Sequence, residues 1–405
     1  TQALTIAGTV AHSGTAAGLA AVDAQSGGAL TVTNNGTVST TGAAINGINA
    51  RSTAGTVTVA GTGTVTTSGA GATGVFATTG TTGNAVAVTQ GAVRTTGAGS
   101  TGVLALGTGA TSVTLALGST TGAGARVIDA TGGTVAVTTT GPITASGAAN
   151  GTVREAIFAN ANTGAAVINT GTVTATSPGV RALTVNAATT ALVNVATGGT
   201  VSSNGDTVFV TSGTGTTVNN AGTIMGTNGF ALSANGGAAT VNNTGTINGP
   251  VSLTGNNDVV NNSGTITFEN GSAFGAGNDT LNNSGTTLVR NGIDFGAGTD
   301  AVNNSGTFAL VARTAPLAST LTGLEAFNNS GVLTLQNGIV GDTLTVPGTF
   351  TGSGASSLLL DVDPSGAGAA DRLIIGGAAT GSTQLGLNFI NGTAVLLPSV
   401  NLVSA

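Results

Sequence analysis

Apolar residues along most of this chain recur at every second position, separated by Thr, Ser or Asn. The pattern is sharpest in residues 260–266 (VNNSGTI), 218–224 (VNNAGTI), 241–247 (VNNTGTI), 302–308 (VNNSGTF) and 327–333 (FNNSGVL). Alternation at period two predicts half-buried β-strands; a helix would show a 3.6-residue apolar period and would not tolerate this density of glycine. The apolar residues that flank each unit, such as Val302 and Phe308, stand six apart, an even spacing that turns both inward if the strand is straight. On the same parity the second Asn of each unit faces in or sits at a corner. Asn220, Asn243, Asn262, Asn283, Asn304 and Asn329 are therefore predicted to stack as a hydrogen-bonded amide ladder. The functional reading of these asparagines is a glycan-binding row; corner formation and amide stacking account for them more simply.

Aligning the glycine of each unit extends the series from Gly331 back to the N-terminus, through Gly141, Gly118, Gly91, Gly63, Gly36 and Gly8. The steps vary from 19 to 30 residues. Repeats of that length made of short strands and Gly-rich bends predict an all-β fold, a single-stranded right-handed parallel β-helix (β-solenoid) of about 14 to 16 coils with a C-terminal β cap. Each coil offers two or three strands, and buries its apolar side chains only by stacking on its neighbours.

The predicted organisation is a repeat rod over residues 1–340, irregular over 1–217 and regular over 218–340, followed by a cap over 341–405. From Gly341 the strand-like runs lengthen and the NNSG unit disappears, as expected of a segment that covers an otherwise unpaired sheet edge.

Composition narrows the function classes. Charged residues make up 5% of the 405, lysine, cysteine, tryptophan and tyrosine are absent, and 40% of residues are hydrophobic. That hydrophobic share, held at period-two positions, argues for a packed fold over a disordered low-complexity chain. Ten of the 14 acidic residues lie after Pro250, beside only Arg290, Arg313 and Arg372. With neither basic patches nor aromatic stacking platforms, no nucleic acid or anionic membrane partner is expected. No apolar run is long enough for a membrane-spanning helix. No signal segment opens the chain at Thr1, which reads as a mature or excised segment.

The terminal segment carries a resemblance. Residues 341–354 (GDTLTVPGTFTGSG), 358–363 (LLLDVD), 370–376 (ADRLIIG) and 385–392 (LGLNFING) resemble the C-terminal passenger region of pertactin-like autotransporters, called the autochaperone region in that family. The upstream NNSGTI coils are similar to those of such passengers. The resemblance implies a right-handed β-helix, export through the outer membrane of a Gram-negative bacterium as an unfolded chain, and folding outside the cell from the C-terminal cap. It also implies a translocator β-barrel as partner; no run of amphipathic strands with aromatic girdles is present here, so the barrel is expected to be cleaved or to lie outside these residues.

Candidate chemistry is sparse. The one histidine, His12, has Ser13 beside it and Asp23 as the nearest acid, without a nucleophile-elbow motif, so it reads as a solvated side chain. Asp361, Asp363, Asp371 and Arg372 form the densest charged group and read as solvated turns or a local ion pair. Residues 274–281 (FGAGNDTL) and 295–302 (FGAGTDAV) partly match a calcium-binding nonapeptide, but at a period of 21; Asp258, Asp279 and Asp300 are expected to cap turns instead, with calcium as the alternative. Thr pairs at Thr31/Thr33, Thr56/Thr58, Thr172/Thr174 and Thr343/Thr345 could form a flat ladder for ice or a crystalline polysaccharide only if coil lengths were equal. No catalytic, cofactor-binding or metal residue is assigned. The expected function is a non-enzymatic autotransporter passenger, an adhesin or rigid display stalk at the cell surface or released from it, with a host or glycan ligand. The alternative is a self-associating protein that forms a coat, filament or lattice, since few charges oppose sheet packing.

Overall fold

The computed structural model describes residues 1–14, 18–149, 155–311, 314–364, 369–390 and 401–405. The described residues are all β and turn, with no helix, and build a parallel-stranded β-solenoid of about 15 turns. No helix among them is long and apolar enough to cross a membrane. The chain divides into two compact units, Thr1–Gly236 and Gly237–Ala405.

In the first unit a coil contributes three strands, or two where neighbouring strands run on as one (Val86–Thr95, Ala110–Thr120), and each strand pairs with its counterpart one coil on. Gln2–Ile6 pairs with Leu30–Asn34, Thr9–His12 with Thr37–Thr40, and Ala20–Ser26 with Asn46–Ser52, all parallel. The period-two pattern sorts side chains as predicted: Leu30, Val32 and Asn34 turn in while Thr31 and Thr33 are half-buried. One coil's inward residues close the next coil's core, so Val32 sits on Val59, both fully buried.

The repeat register needs one correction. The structure sets Ala116, not Gly118, above Gly91: Ala92 pairs with Leu117, and a Cβ on Gly141 would meet the carbonyl of Ala116. Gly118 pairs with Val93 and Ile143 at an inward position, where a Cβ would collide with Val127. Its missing side chain makes room for Val127 and Leu115. Spacing alone places that glycine, and in a chain with 69 glycines it picks the wrong one when a coil shortens.

In the second unit the NNSG strands stack in register: Val259–Asn262 on Thr280–Asn283, then Ala301–Asn304, then Ala326–Asn329. The core here is aromatic. Phe274 stacks on Phe295 at 4.7 Å between centroids, and Phe308 meets Phe327 edge-on at 5.2 Å. The expected boundary at Gly341 falls inside this unit, and the strands beyond it continue the same parallel stacking: Thr343–Val346 on Ala318–Thr322, and Ser357–Val362 on Val332–Thr334. Gln384–Phe389 then lies on Ser357–Val362, with Leu385, Leu387 and Phe389 exposed.

Candidate functional site

The predicted amide ladder is present in the second unit. The Nδ2 of Asn243 donates to Oδ1 of Asn262 at 2.7 Å, Asn262 to Asn283 at 2.8 Å, Asn283 to Asn304 at 2.7 Å and Asn304 to Asn329 at 2.7 Å. Asn329 ends the row on the Ser356 hydroxyl at 2.9 Å. All five asparagines are buried, and each also donates to a backbone carbonyl near the following corner, as Asn283 does to Thr307 at 2.9 Å. An inward Asn thus satisfies polar groups that would otherwise be buried alone.

A second row escaped the sequence reading. The first Asn of each unit forms an outer ladder with the opposite donor direction: Asn261 donates to Asn242, Asn282 to Asn261, Asn303 to Asn282 and Asn328 to Asn303, each at 2.9 Å. Asn261 and Asn282 are half-buried, and Asn303 and Asn328 exposed. The first unit repeats the device at Asn169, Asn194 and Asn219. Opposite donor directions leave the two amide dipole rows opposed along the stack. The doubled Asn in the motif was the available signal, because neighbours on a strand must face opposite ways.

The outer row and the serines that follow it line a surface groove of about 570 Å³, which spans the coils from Asn242 to Ser353. Ser263, Ser284 and Ser305 are exposed there, and their hydroxyls donate to the carbonyls of Asn243, Asn262 and Asn283 at 3.3–3.4 Å.

Asp258, Asp279 and Asp300 form another column, fully buried. The N–H of Asp258 donates to Oδ1 of Asp279 and that of Asp279 to Oδ1 of Asp300, both at 2.7 Å; the N–H of Asp300 reaches Oε2 of Glu325 at 2.7 Å. Asp258 takes the N–H of Ala239 at 2.6 Å and of Thr254 at 2.7 Å. The carboxylates cap the backbone one coil away, so the turn-capping role operates between coils. Burial pushes the Asp279 carboxyl up to about 7; Asp258 and Asp300 add to the rise and the N–H bond opposes it. Asp258 and Asp300 are also raised, burial again being the main cause. The Oδ2 atoms of Asp279 and Asp300 are buried without a hydrogen-bond partner, a state that a carboxylic acid bears better than a carboxylate.

The charged group near the C-terminus is not what the sequence suggested. Asp361 and Asp371 are fully buried, so a solvated turn is excluded for them. Asp371 accepts the N–H groups of Asp342 at 3.0 Å and Asp361 at 2.8 Å, and Asp361 those of Asn337 at 2.9 Å and Gly338 at 2.8 Å. Burial pushes Asp371 up to about 7, with the Asp342 and Asp361 carboxylates adding to the rise. Arg372 is exposed on the opposite face of its strand. Backbone N–H groups and the Asn388 amide, which donates to Oδ1 of Asp361 at 2.6 Å, hold these acids; the arginine does not.

The structure does not gather a triad around His12. Its Nδ1 accepts from the N–H of Gly14 at 3.1 Å, while Asp23 takes Asn49 at 2.9 Å and Gln25 at 3.2 Å. Nor do the Thr pairs continue as a flat array: Thr31 stacks on Thr58 but Thr33 on Ala60, and Thr343 and Thr345 meet Arg372 and Ile374. Among the described residues no cluster of three or more His, Cys, Asp or Glu is arranged to hold a metal ion.

One face of the first unit concentrates the scarce charged and aromatic residues. Arg126, Glu155, Arg181 and Asp206 occupy successive coils; Arg126 pairs with Glu155 and with Asp129, the latter at 2.6 Å, and Arg181 with Asp206 at 3.0 Å. Arg126 lies over Phe158 at 4.5 Å and Arg181 over Phe209 at 3.8 Å. Burial raises the Glu155 carboxyl, and the Arg126 and Arg181 guanidiniums oppose the rise.

No protein-family model matches the chain. A stretch of 66 residues is 46% identical to a protein of Escherichia coli strain K12 described as the probable autotransporter YfaL. The match covers 16% of this chain and 5% of that relative, so the chain spans a small part of the length of the curated relative it matches.

Proposed function

We propose that the chain is part of an autotransporter passenger, a non-enzymatic β-solenoid that stands at the surface of a Gram-negative cell or is released from it, and acts as an adhesin or rigid display stalk. The observation that carries this reading is the way the coils hold together. In both units coils are closed by their neighbours through parallel strands, with axial asparagine ladders over part of each, an architecture whose stability accumulates coil by coil and which presents extended surface. The similarity of 66 residues to a probable autotransporter supports the same export route. With no cysteine in the chain, no disulfide can close before an unfolded chain has passed. Residues 341–405 serve in this reading as the segment that folds first.

The test is antibody labelling of intact cells that produce the protein from its natural gene. Labelling without permeabilisation supports display or, if the antigen is in the medium, release; labelling that requires lysis would exclude both.

A second reading, self-assembly, draws on the exposed Leu385, Leu387 and Phe389, the last 60% exposed. Electron microscopy over a range of concentrations separates the two: dispersed single particles throughout favour display, and ordered filaments or sheets favour assembly.

A further inference from the structure

We propose that the Asn–Ser groove of the second unit binds a neutral polysaccharide chain laid along the coil stack. This inference rests on the display reading, since such a ligand must reach the groove from outside the cell.

The lining decides the ligand class. The residues around the groove are asparagines and serines with one threonine, and no charged or aromatic side chain is among them. An apolar occupant would strip water from these amides and hydroxyls without replacing its hydrogen bonds. A polyanion would find no cation in the walls. A polyhydroxylated neutral chain matches both conditions.

Hydrogen-bond capacity points the same way. Asn261, Asn282 and Asn303 each use one N–H and one carbonyl lone pair in the outer ladder. By the valence of an amide, each keeps a second N–H and a second lone pair for the groove. Ser263, Ser284 and Ser305 donate their hydroxyl protons to backbone carbonyls, which leaves their lone pairs as acceptors. Every coil thus offers a donor and two kinds of acceptor side by side, the complement of hydroxyls on adjacent carbons of a sugar ring.

Geometry supplies the third argument. The coils repeat at the strand spacing of about 4.8 Å, close to the advance of one ring in an extended polysaccharide, so successive rings meet equivalent Asn–Ser sets. The groove's volume of about 570 Å³ lies within the range of ordinary ligand sites. Both walls are already rigid: the buried ladder fixes the strand from inside and the outer ladder fixes its own amides, so little side-chain freedom is lost on binding. Each ring makes a weak contact, and the row adds them along one chain.

The test is affinity electrophoresis of the full 405-residue chain in native gels cast with hydroxyethyl cellulose, dextran or soluble starch, with heparin as the charged counterpart. Retardation by at least one neutral polymer is expected, unchanged by added salt because no charges take part. Asn282→Ala/Asn303→Ala should weaken it about tenfold or more, while Asn194→Ala, which breaks an equivalent outer ladder away from the groove, should leave it unchanged. If the double alanine variant fails to fold, Ser284→Leu/Ser305→Leu fills the groove from exposed positions and should abolish retardation. No retardation in any neutral gel, retardation by heparin alone, or binding that survives both double substitutions overturns the proposal. Cell-surface labelling needs no glycan, so it reports separately on the display reading.

Discussion

The Asn283 amide donates to Oδ1 of Asn304 at 2.7 Å across one coil, while beside it Asn303 donates to Asn282 at 2.9 Å in the reverse direction. The inner bond is buried and the outer one reaches solvent, and that difference separates structural from available amides.

Asn283→Ala leaves the Asn262 amide nitrogen and the Asn304 carbonyl oxygen without their axial partners inside the protein. The expected cost is about 2–4 kcal/mol, read as a lower urea midpoint of the second unit. Asn303→Ala, at an exposed position, should cost about 1 kcal/mol or less. Equal losses at the two positions would contradict the assignment of inner and outer rows.

The buried acids set a pH dependence. Asp279 and Asp371 have folded pKa values raised to about 7 from an ordinary 3.8, so between those values the folded state binds more protons than the unfolded one. Their contribution to stability is complete below pH about 4 and is lost as the pH rises through about 7. The thermal midpoint of the second unit should therefore fall from pH 5 to pH 8, on the order of several degrees. Asp279→Asn, which keeps the acceptor and cannot ionise, should flatten that fall and stabilise the protein at pH 8. A midpoint that climbs over the same range would contradict the protonated column.

Gly296 has φ of +83°, and a Cβ there would run into the carbonyl oxygen of Gly275. Gly296→Ala should destabilise by about 3 kcal/mol or more, through backbone strain and steric overlap together. Gly255→Ala, where a Cβ meets nothing within 4 Å, should change stability by about 0.5 kcal/mol or less. Denaturant midpoints of the two variants give the comparison.

On the charged face of the first unit, Arg126→Met leaves the buried Glu155 without its ion-pair partner, at an expected cost of about 3 kcal/mol. Arg126→Met/Glu155→Met removes both charges and should recover most of that loss. A double-mutant cycle with no coupling would show that the pair contributes nothing to the stack.

The parts legible in the sequence were those set by strand parity. Val302 and Asn304 face inward by parity along Ala301–Asn304; Phe308 also turns inward, but from Thr307–Leu310, a separate strand beyond a bend at Ser305 and Gly306, so the straight strand on which the expectation rests is absent. Parity along one strand could not show what the neighbouring coil supplies. The buried state of Asp361 and Asp371 depends on N–H groups of Asn337, Gly338 and Asp342 that lie 23 to 29 residues away. The Arg–Phe face likewise depends on register: Arg181 meets Phe209 only because Leu183 pairs with Val208, and the unequal coils of the first unit hide that alignment. Gln90 shows the same limit. Its Oε1 accepts from the Asn34 amide, 56 residues away, at 3.1 Å, and its Nε2 donates to the carbonyl of Gly61 on the coil between at 3.2 Å.

Because the chain contains no cysteine, single cysteines report accessibility cleanly. The most direct test of a solenoid displayed outside the cell is to label Thr299→Cys and Thr287→Cys variants on intact cells with a membrane-impermeant maleimide. Thr299 is exposed and Thr287 fully buried. The account predicts that position 299 is labelled on intact cells, or in the medium if the protein is released, and that position 287 is labelled only after denaturation. Labelling of position 299 only after lysis, or of position 287 in the native protein, would contradict it.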